Sequence, residues 1–373
     1  MAKLSYEQLK SVVASYVDAN KIASGTYSAT YNNVVGLLDK IGKIVMLDTI
    51  FTIDKLSQFD GEFLGLGKTI EEWQEDLILP QNYDATGANA LAPNEPTYRP
   101  VAWSYTLGKK VLKTTLRNND VERAVNNTGE LVSIIAQKTK RLQDSYAVFK
   151  YQIKREIVGK IIDKCETIMS TNTAYQVSTA YSVGTLLANS GSIGIVVKAI
   201  TSTSYATINT WALNVSNGYI IVLDLVKEIA APVDTSTGEA FIKQVKEDVE
   251  KAQDLNEGNS FNGNSLGATE GLILLLKQGI IPSIEVDTLA GAFNQDRLAV
   301  GVKTIVVKDF GATSSDAYAV LMDARGFKLH NTYNALRDQI NADGDFINLY
   351  QHTENTAFIS NNTFVKVYKP VSA

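Results

Sequence analysis

The feature that most constrains this chain is one long helical pattern from Gly129 to about Lys164. Asn127 stands at the cap position with Glu130 three residues on, a capping-box arrangement. Leu142, Tyr146, Phe149, Ile153, Ile157 and Ile161 then repeat at steps of three and four. The helix is much longer than the ~11–12 residues of an average globular helix, and no heptad turns it into a coiled-coil seam. Its polar face carries Lys138, Lys140, Arg141, Lys150, Lys154, Arg155, Lys160 and Lys164. Against these stand only Glu130, Asp144, Glu156 and Asp163. The bland reading of such a face is solvation; the sharper one is weak, sequence-blind contact with nucleic acid or an acidic partner.

That basic face belongs to an acidic protein of 373 residues with a net charge of −5. The balance argues against a dedicated nucleic-acid reader. Hydrophobic residues make up 45% and charged residues 20%, so the chain is globular and long enough for two cores or one large one. A single cysteine, Cys165, excludes an internal disulfide framework and CxxC metal sites and fits a reducing compartment. Met1-Ala2-Lys3 leads into mixed polar sequence, so no secretory signal is expected. No run approaches the ~20 apolar residues that cross a bilayer, so no membrane partner is expected either.

Before the long helix, Ser5 to Ala19 reads as an amphipathic helix with a Ser5/Gln8 capping box and a stripe of Leu9, Val12, Val13, Tyr16 and Val17. It packs on its own core or, through the Asn20 to Ser28 tether, docks on a neighbour. Asn32 to Gly42 reads as a short helix and Ile44 to Ile53 as a strand. From Phe59 to about Thr115 apolar residues thin out, and Pro80, Pro93, Pro96 and Pro100 interrupt any helix. The extended pieces Glu62 to Gly67 and Val101 to Leu107 suggest a long β-hairpin arm, too polar to build its own core. Such an arm is stabilised by what it lies against, here another copy of the chain.

After the long helix, the Ser/Thr-rich stretch Ser170 to Ser216 reads as short strands and loops. Tyr219 to Val226 reads as a strand, and Ser236 with Glu239 opens a helix to Gln253. Thr269 is expected to cap another helix ending near Gly279. Val302 to Val307, Ala317 to Met322 and Phe327 to Asn331 read as strands, with Asp323 to Gly326 as a hairpin turn. Phe346 to His352, Ala357 to Ser360 and Thr363 to Tyr368 are the last strands, separated by turns at Asn341 to Asp345 and Asn361-Asn362. The order is α+β, without a βαβ repeat.

Chemistry is sparse. His330 and His352 sit in strands without a readable partner, and a packed or surface role outweighs catalysis for both. Cys165 lacks a catalytic signature and reads as a buried or half-buried small side chain. Glu71, Glu72, Glu75 and Asp76 could serve hydrolysis as paired carboxylates, but on an arm they read as a solvated or inter-subunit face. Asp343-Gly344-Asp345 lacks the Gly and Glu spacing of a calcium loop and reads as a turn. No nucleotide-binding, zinc-protease or nucleophile-elbow motif occurs. Catalytic, cofactor-binding and metal residues, and a small-molecule substrate, are therefore none. The acceptor triplets at Asn126, Asn214 and Asn361 carry no weight without an export signal.

Three stretches carry a resemblance. Asn33-Val-Val-Gly-Leu-Leu-Asp-Lys-Ile-Gly42 precedes the strand at Ile44, and Leu66-Gly-Lys-Thr-Ile-Glu-Glu72 follows it. Glu285-Val-Asp-Thr-Leu-Ala-Gly-Ala-Phe-Asn294 then precedes Val302 to Asp309. In order and spacing these resemble the major capsid proteins of phi-twenty-nine-type podoviruses, from about residue 32 to the C-terminus. The resemblance implies the α+β Hong Kong 97-type capsid fold and a structural subunit, not an enzyme. Its pentamers and hexamers would form an icosahedral head around double-stranded DNA.

By the same resemblance, residues 1–31 would be an N-terminal arm and 32–58 the first part of a peripheral domain. Residues 59–115 would be an extended loop over a neighbouring subunit, and 116–169 would carry the peripheral domain's spine helix. The axial domain would occupy 170–330, with a Ser/Thr-rich insertion at about 170–216, and strands at 331–373 would return to the peripheral domain. The immunoglobulin-like module of some relatives is not expected. With no long helical pro-segment before the arm, scaffolding protein is expected as a separate chain beside a portal protein. Lys68 lies where some relatives cross-link, but no matching motif surrounds it. The expected place is the virion, after assembly in a host bacterial cytoplasm. An encapsulin-like compartment, or less readily a bacterial surface protein, stands as the alternative.

Overall fold

The computed structural model describes residues 54–64, 70–75, 98–117, 128–204, 209–254, 256–265, 271–280, 302–311, 313–341 and 343–371. The expected elements at 5–19, 32–42 and 44–53, and Lys68, Asn127 and Thr269, lie outside them. In chain order come β1 (Glu71–Glu75), β2 (Tyr98–Arg117), α1 (Thr128–Met169), β3 (Leu186–Asn189) and β4 (Ser192–Val196). Then follow α2 (Trp211–Ser216), β5 (Ile220–Val222), β6 (Val226–Glu228), α3 (Thr235–Gln253), β7 (Asn256–Glu257) and β8 (Asn264–Ser265). The last are β9 (Leu272–Lys277), β10 (Lys303–Val307), β11 (Ala319–Asp323), β12 (Phe327–Asn341), β13 (Phe346–Ile359) and β14 (Val365–Lys369). The chain divides into two compact units: 1–68, 105–154 and 329–357 make unit 1, and 69–104, 155–328 and 358–373 make unit 2.

In unit 1, β13 lies between β2 and β12. The strands expected at Phe327 to Asn331 and Phe346 to His352 run much further, and β13 continues through the stretch expected to separate it from Ala357. The intervening residues are polar, yet Thr353, Glu354, Asn355 and Thr356 are buried. Asn341 turns the chain into β13, its Oδ1 accepting from the Gly344 amide at 2.8 Å, with Asp345 at φ 51°. The α1 residues Leu142, Tyr146 and Ile153 are buried as their spacing predicts, and Phe149 is half-buried.

Unit 2 holds a five-stranded sheet in the order β10-β9-β11-β14-β6. The segment expected as a helix ending near Gly279 is its inner strand β9, parallel to β10 and antiparallel to β11. Leu272 to Leu276 are all buried, so the run shows neither a two- nor a 3.6-residue period. A short apolar run between Gly271 and Gly279, both at positive φ, is how a strand covered on both faces reads. The helix α3 packs Phe241, Val245 and Val249 with Leu274, Leu276, Tyr318, Leu321 and Tyr368. It starts earlier than Ser236: Asp234 caps it, accepting from the Thr237 amide at 2.8 Å while Thr237 Oγ1 accepts from the Asp234 amide at 3.1 Å.

Two further expectations are corrected in unit 2. The strand expected from Tyr219 to Val226 is two strands. After β5, the Leu223 and Asp224 amides donate to Ile193 and Gly258, and the chain leaves the β3-β4-β5 sheet to join β14 as β6. Asp323 to Gly326 does turn, with the Gly326 amide 2.9 Å from the Asp323 carbonyl. Yet β11 pairs with β9 and β14, so the turn passes the chain from one sheet to another and closes no hairpin. The stretch after α1 forms β3 and β4, as expected, but also the short α2, capped by Thr210.

Candidate assembly surface

The cations of α1 do not form the open basic face that composition suggested. In unit 1, the fully buried Lys154 donates to Asp54 Oδ2 at 2.6 Å and the Leu56 carbonyl at 3.2 Å, and lies 2.7 Å from Asp60 Oδ1. Lys150 reaches the same Asp60 oxygen at 3.1 Å. A buried ammonium is tolerated only when its charge and donors are met, and here two carboxylates and a carbonyl meet them. In unit 2, Arg155 pairs with Asp309. Partial burial works against ionisation of Asp309, but the Gly311 amide at 2.9 Å and Arg155 hold its carboxyl below the usual range. Lys164 donates to Asn361 Oδ1 at 2.6 Å and stands 3.9 Å from the Phe261 ring centroid. Four of the eight cations thus hold the fold together; Arg141 and Lys160 are exposed.

The α1 helix also makes close backbone approaches within unit 2. A Cβ on Gly159 would lie 2.3 Å from the Phe310 carbonyl oxygen. Gly311, at φ 75°, rests against the Glu156 backbone in the same way. Both positions need glycine for clearance, and Gly311 also for its left-handed conformation.

The sheet of unit 1 carries further exposed cations. Lys109 Nζ lies 5.4 Å from the Tyr333 ring centroid, and Lys113 Nζ 5.5 Å from that of Tyr350. Arg337 Nη2 stands 3.5 Å from the Tyr333 hydroxyl. The Tyr350 and His352 rings stack at 6.2 Å, and the Tyr350 hydroxyl donates to Gln339 at 3.0 Å. These contacts place Lys109, Lys113, Tyr333, Arg337, Tyr350 and His352 on one face. Val111, between the two lysines at strand spacing, is half exposed. Sequence reasoning missed this face. The alternation Lys109, Val111, Lys113, Thr115 was its one signal, and it falls where the chain reads as polar arm.

A second, buried polar seam lies in unit 1. Asn331 Nδ2 donates to the Tyr146 hydroxyl at 2.6 Å, which donates to Asn355 Oδ1 at 3.2 Å. Burial raises the Tyr146 pKa. His330 Nδ1 lies 2.9 Å from the Glu62 carbonyl, and a Cβ on Gly61 would collide with its ring, so this histidine packs against the chain. Cys165 is fully buried in unit 2, and burial pushes its thiol pKa well up, away from nucleophilic use. Of the acidic cluster, Glu72 accepts from Ser360 Oγ at 2.7 Å and the Asn361 amide at 2.9 Å and is a brace within unit 2. Asn214 is buried, its Nδ2 donating to the Tyr175 hydroxyl and the Thr210 carbonyl. Among the described residues no three His, Cys, Asp or Glu side chains are grouped to hold a metal, and no helix is long and apolar enough to cross a membrane. Among the described residues the structure thus brings together charge pairs and an exposed sheet face.

Comparison with known proteins agrees with this geometry. The family model described as Phi29-like phage major capsid protein matches residues 2–368. The capsid structure of Staphylococcus phage Andhra is similar with a TM-score of 0.52 and 10% identity, covering 84% of this chain and 83% of that one. A chain in the structure of the head fiber and inner core protein of native bacteriophage P68 is similar at 0.51 and 11% identity, covering 84% and 83%. At such identities the likeness speaks to the fold, which is the Hong Kong 97-type capsid fold. Among curated protein sequences none matches.

Proposed function

The chain belongs to the Phi29-like phage major capsid protein family, and we propose that its copies close into pentamers and hexamers that tile an icosahedral head around double-stranded DNA. Family membership makes it a structural capsid subunit of a virion, built from homo-oligomeric capsomers. It favours a phage head over the encapsulin-like compartment and the surface protein that sequence alone left open. The observation that carries the reading is the match from residue 2 to 368 on an α+β fold.

The finer assignments follow the same reading. The stretch 59–115 is the extended loop that lies over a neighbour, α1 is the spine helix of a peripheral domain, and 170–330 is the axial domain. Scaffolding and portal proteins act as separate chains, DNA contact is non-specific, and assembly takes place in the host cytoplasm. The polar middle of the loop provides the test. Gly61, Leu64 and Glu72 bond to Leu329, Asn331 and Asn361, so a deletion should spare them. Replacing residues 76–97 by a short Gly/Ser linker is expected to leave a folded subunit that forms no shells. Shells of normal size from this variant would contradict the loop assignment.

A further inference from the structure

The sequence holds two Asn-Gly dipeptides, Asn217-Gly218 and Asn262-Gly263, both in unit 2. An asparagine before glycine is open to attack by the glycine's own amide nitrogen, which no β-carbon shields. The fold treats the two differently. Asn262 is buried; its backbone amide donates to the Asn361 carbonyl at 3.1 Å and its Nδ2 to Asn362 Oδ1. The Gly263 amide donates to the Ser260 carbonyl at 3.1 Å, and a Cβ there would press on Ile195 and Ile221. Freeing this amide requires the surrounding packing to open.

Asn217 is exposed, at the C-cap of the six-residue helix α2. Its Nδ2 donates to the Leu213 carbonyl at 2.8 Å, and the Gly218 amide donates to the Val215 carbonyl at 3.0 Å. A helix this short frays at little cost, and fraying releases both the side chain and the attacking nitrogen. We propose that Asn217 is a site of spontaneous modification, passing through a cyclic imide to isoaspartate and aspartate, whereas Asn262 is protected. The Gly218 amide gives its proton to solvent base, and its nitrogen bonds to Asn217 Cγ. The Cγ–Nδ2 bond breaks, and ammonia leaves with a proton returned from solvent. Water then opens the imide at either carbonyl and leaves a carboxylate. That carboxylate no longer donates to Leu213 and faces a helix C-terminus, where negative charge is unfavourable. Lys198, whose Nζ would lie 4.0 Å from a Cβ on Gly218, draws it away from α2. The change uncaps the helix that packs Trp211 against Leu187, Val196, Ile200 and Ile220.

Ageing the full chain in warm, mildly alkaline buffer, with and without urea, tests it. Samples are digested and mapped by mass spectrometry, with electron-transfer fragmentation to separate isoaspartate from aspartate. In urea both dipeptides should convert at similar rates, because only the neighbouring residues then act. In the folded chain Asn217 should convert about tenfold or more faster than Asn262, since the buried pair waits on local unfolding. A folded Asn262 that keeps pace with Asn217 would overturn the proposal. So would an Asn217 that stays an amide in the folded chain, whether or not urea converts it. Asn217→Gln should abolish the change at that position, and a signal that persists there would show the site to be wrong. Asn217→Asp carries the carboxylate from the start. It should speed chymotrypsin cleavage after Trp211 and Leu213 by about two- to fivefold, with the thermal melt of the remaining chain unchanged. Cleavage no faster than in wild type would overturn the uncapping.

Discussion

Around α3 in unit 2, Phe241 is fully buried, with Tyr318 and Tyr368 rings at 5.4 and 5.5 Å and Leu272, Leu274 and Leu276 beside them. The sheet of unit 1 is built otherwise. Buried Tyr146 and Asn355 are joined to Asn331 by hydrogen bonds, Lys154 is buried among carboxylates, and Lys109 and Lys113 are exposed. The first region closes on itself through apolar area, the dominant favourable term in folding. The second relies on charge pairs and polar contacts and, among the described residues, leaves Lys109, Val111, Lys113 and Arg337 exposed. The difference is one of what holds each region together, apolar area in the first and matched charge in the second, and substitutions can probe the two separately.

Phe241→Ala should show the largest stability loss, about 3–5 kcal/mol, read from urea unfolding of the unassembled subunit. A loss under about 1 kcal/mol would mean that unit 2 does not depend on this core. Lys154→Met should cost about 2–3 kcal/mol. That is below the usual figure for a broken buried pair, because Asp60 is one-third exposed and can be partly hydrated. Adding Asp54→Asn and Asp60→Asn should return part of the loss.

Alkaline pH should act next, and chiefly on unit 2. Burial raises the pKa of Cys165 from 9.0 and those of Tyr318 and Tyr368 from 10.0. Groups raised in the folded state contribute stability that is whole below the unfolded values and lost as pH climbs past them. Lys164 and Lys366, lowered by burial, run the opposite way and offset part of this. The urea midpoint should hold to about pH 9 and fall above it, and Cys165→Ala should move the onset toward pH 10. A midpoint that rises between pH 9 and 10.5 would contradict the burial of these groups. The smallest effect should come from Val111→Ser, within about 0.5 kcal/mol on the subunit.

The sequence made α1 legible because one stripe persists over many turns, and the order of elements was legible wherever a single period held. It misled where burial covers both faces, as at Leu272 to Leu276, because a strand buried on both sides and a short buried helix have no distinguishing period. It misled again in β12 and β13, where buried Thr353 and Asn355 look like loop residues until Tyr146 and Asn331 are seen to satisfy them. The basic face of α1 was legible as composition only. Asp54 and Asp309 lie about a hundred residues or more away, and no local pattern announces that they neutralise Lys154 and Arg155. The open sheet face needs three strands side by side before its cations fall together.

Electron microscopy of the purified full chain, concentrated at neutral pH and low salt, tests the central claim most directly. The account predicts closed, regular shells or the pentamers and hexamers from which they are built. Monodisperse single copies under those conditions, folded by circular dichroism, would contradict it.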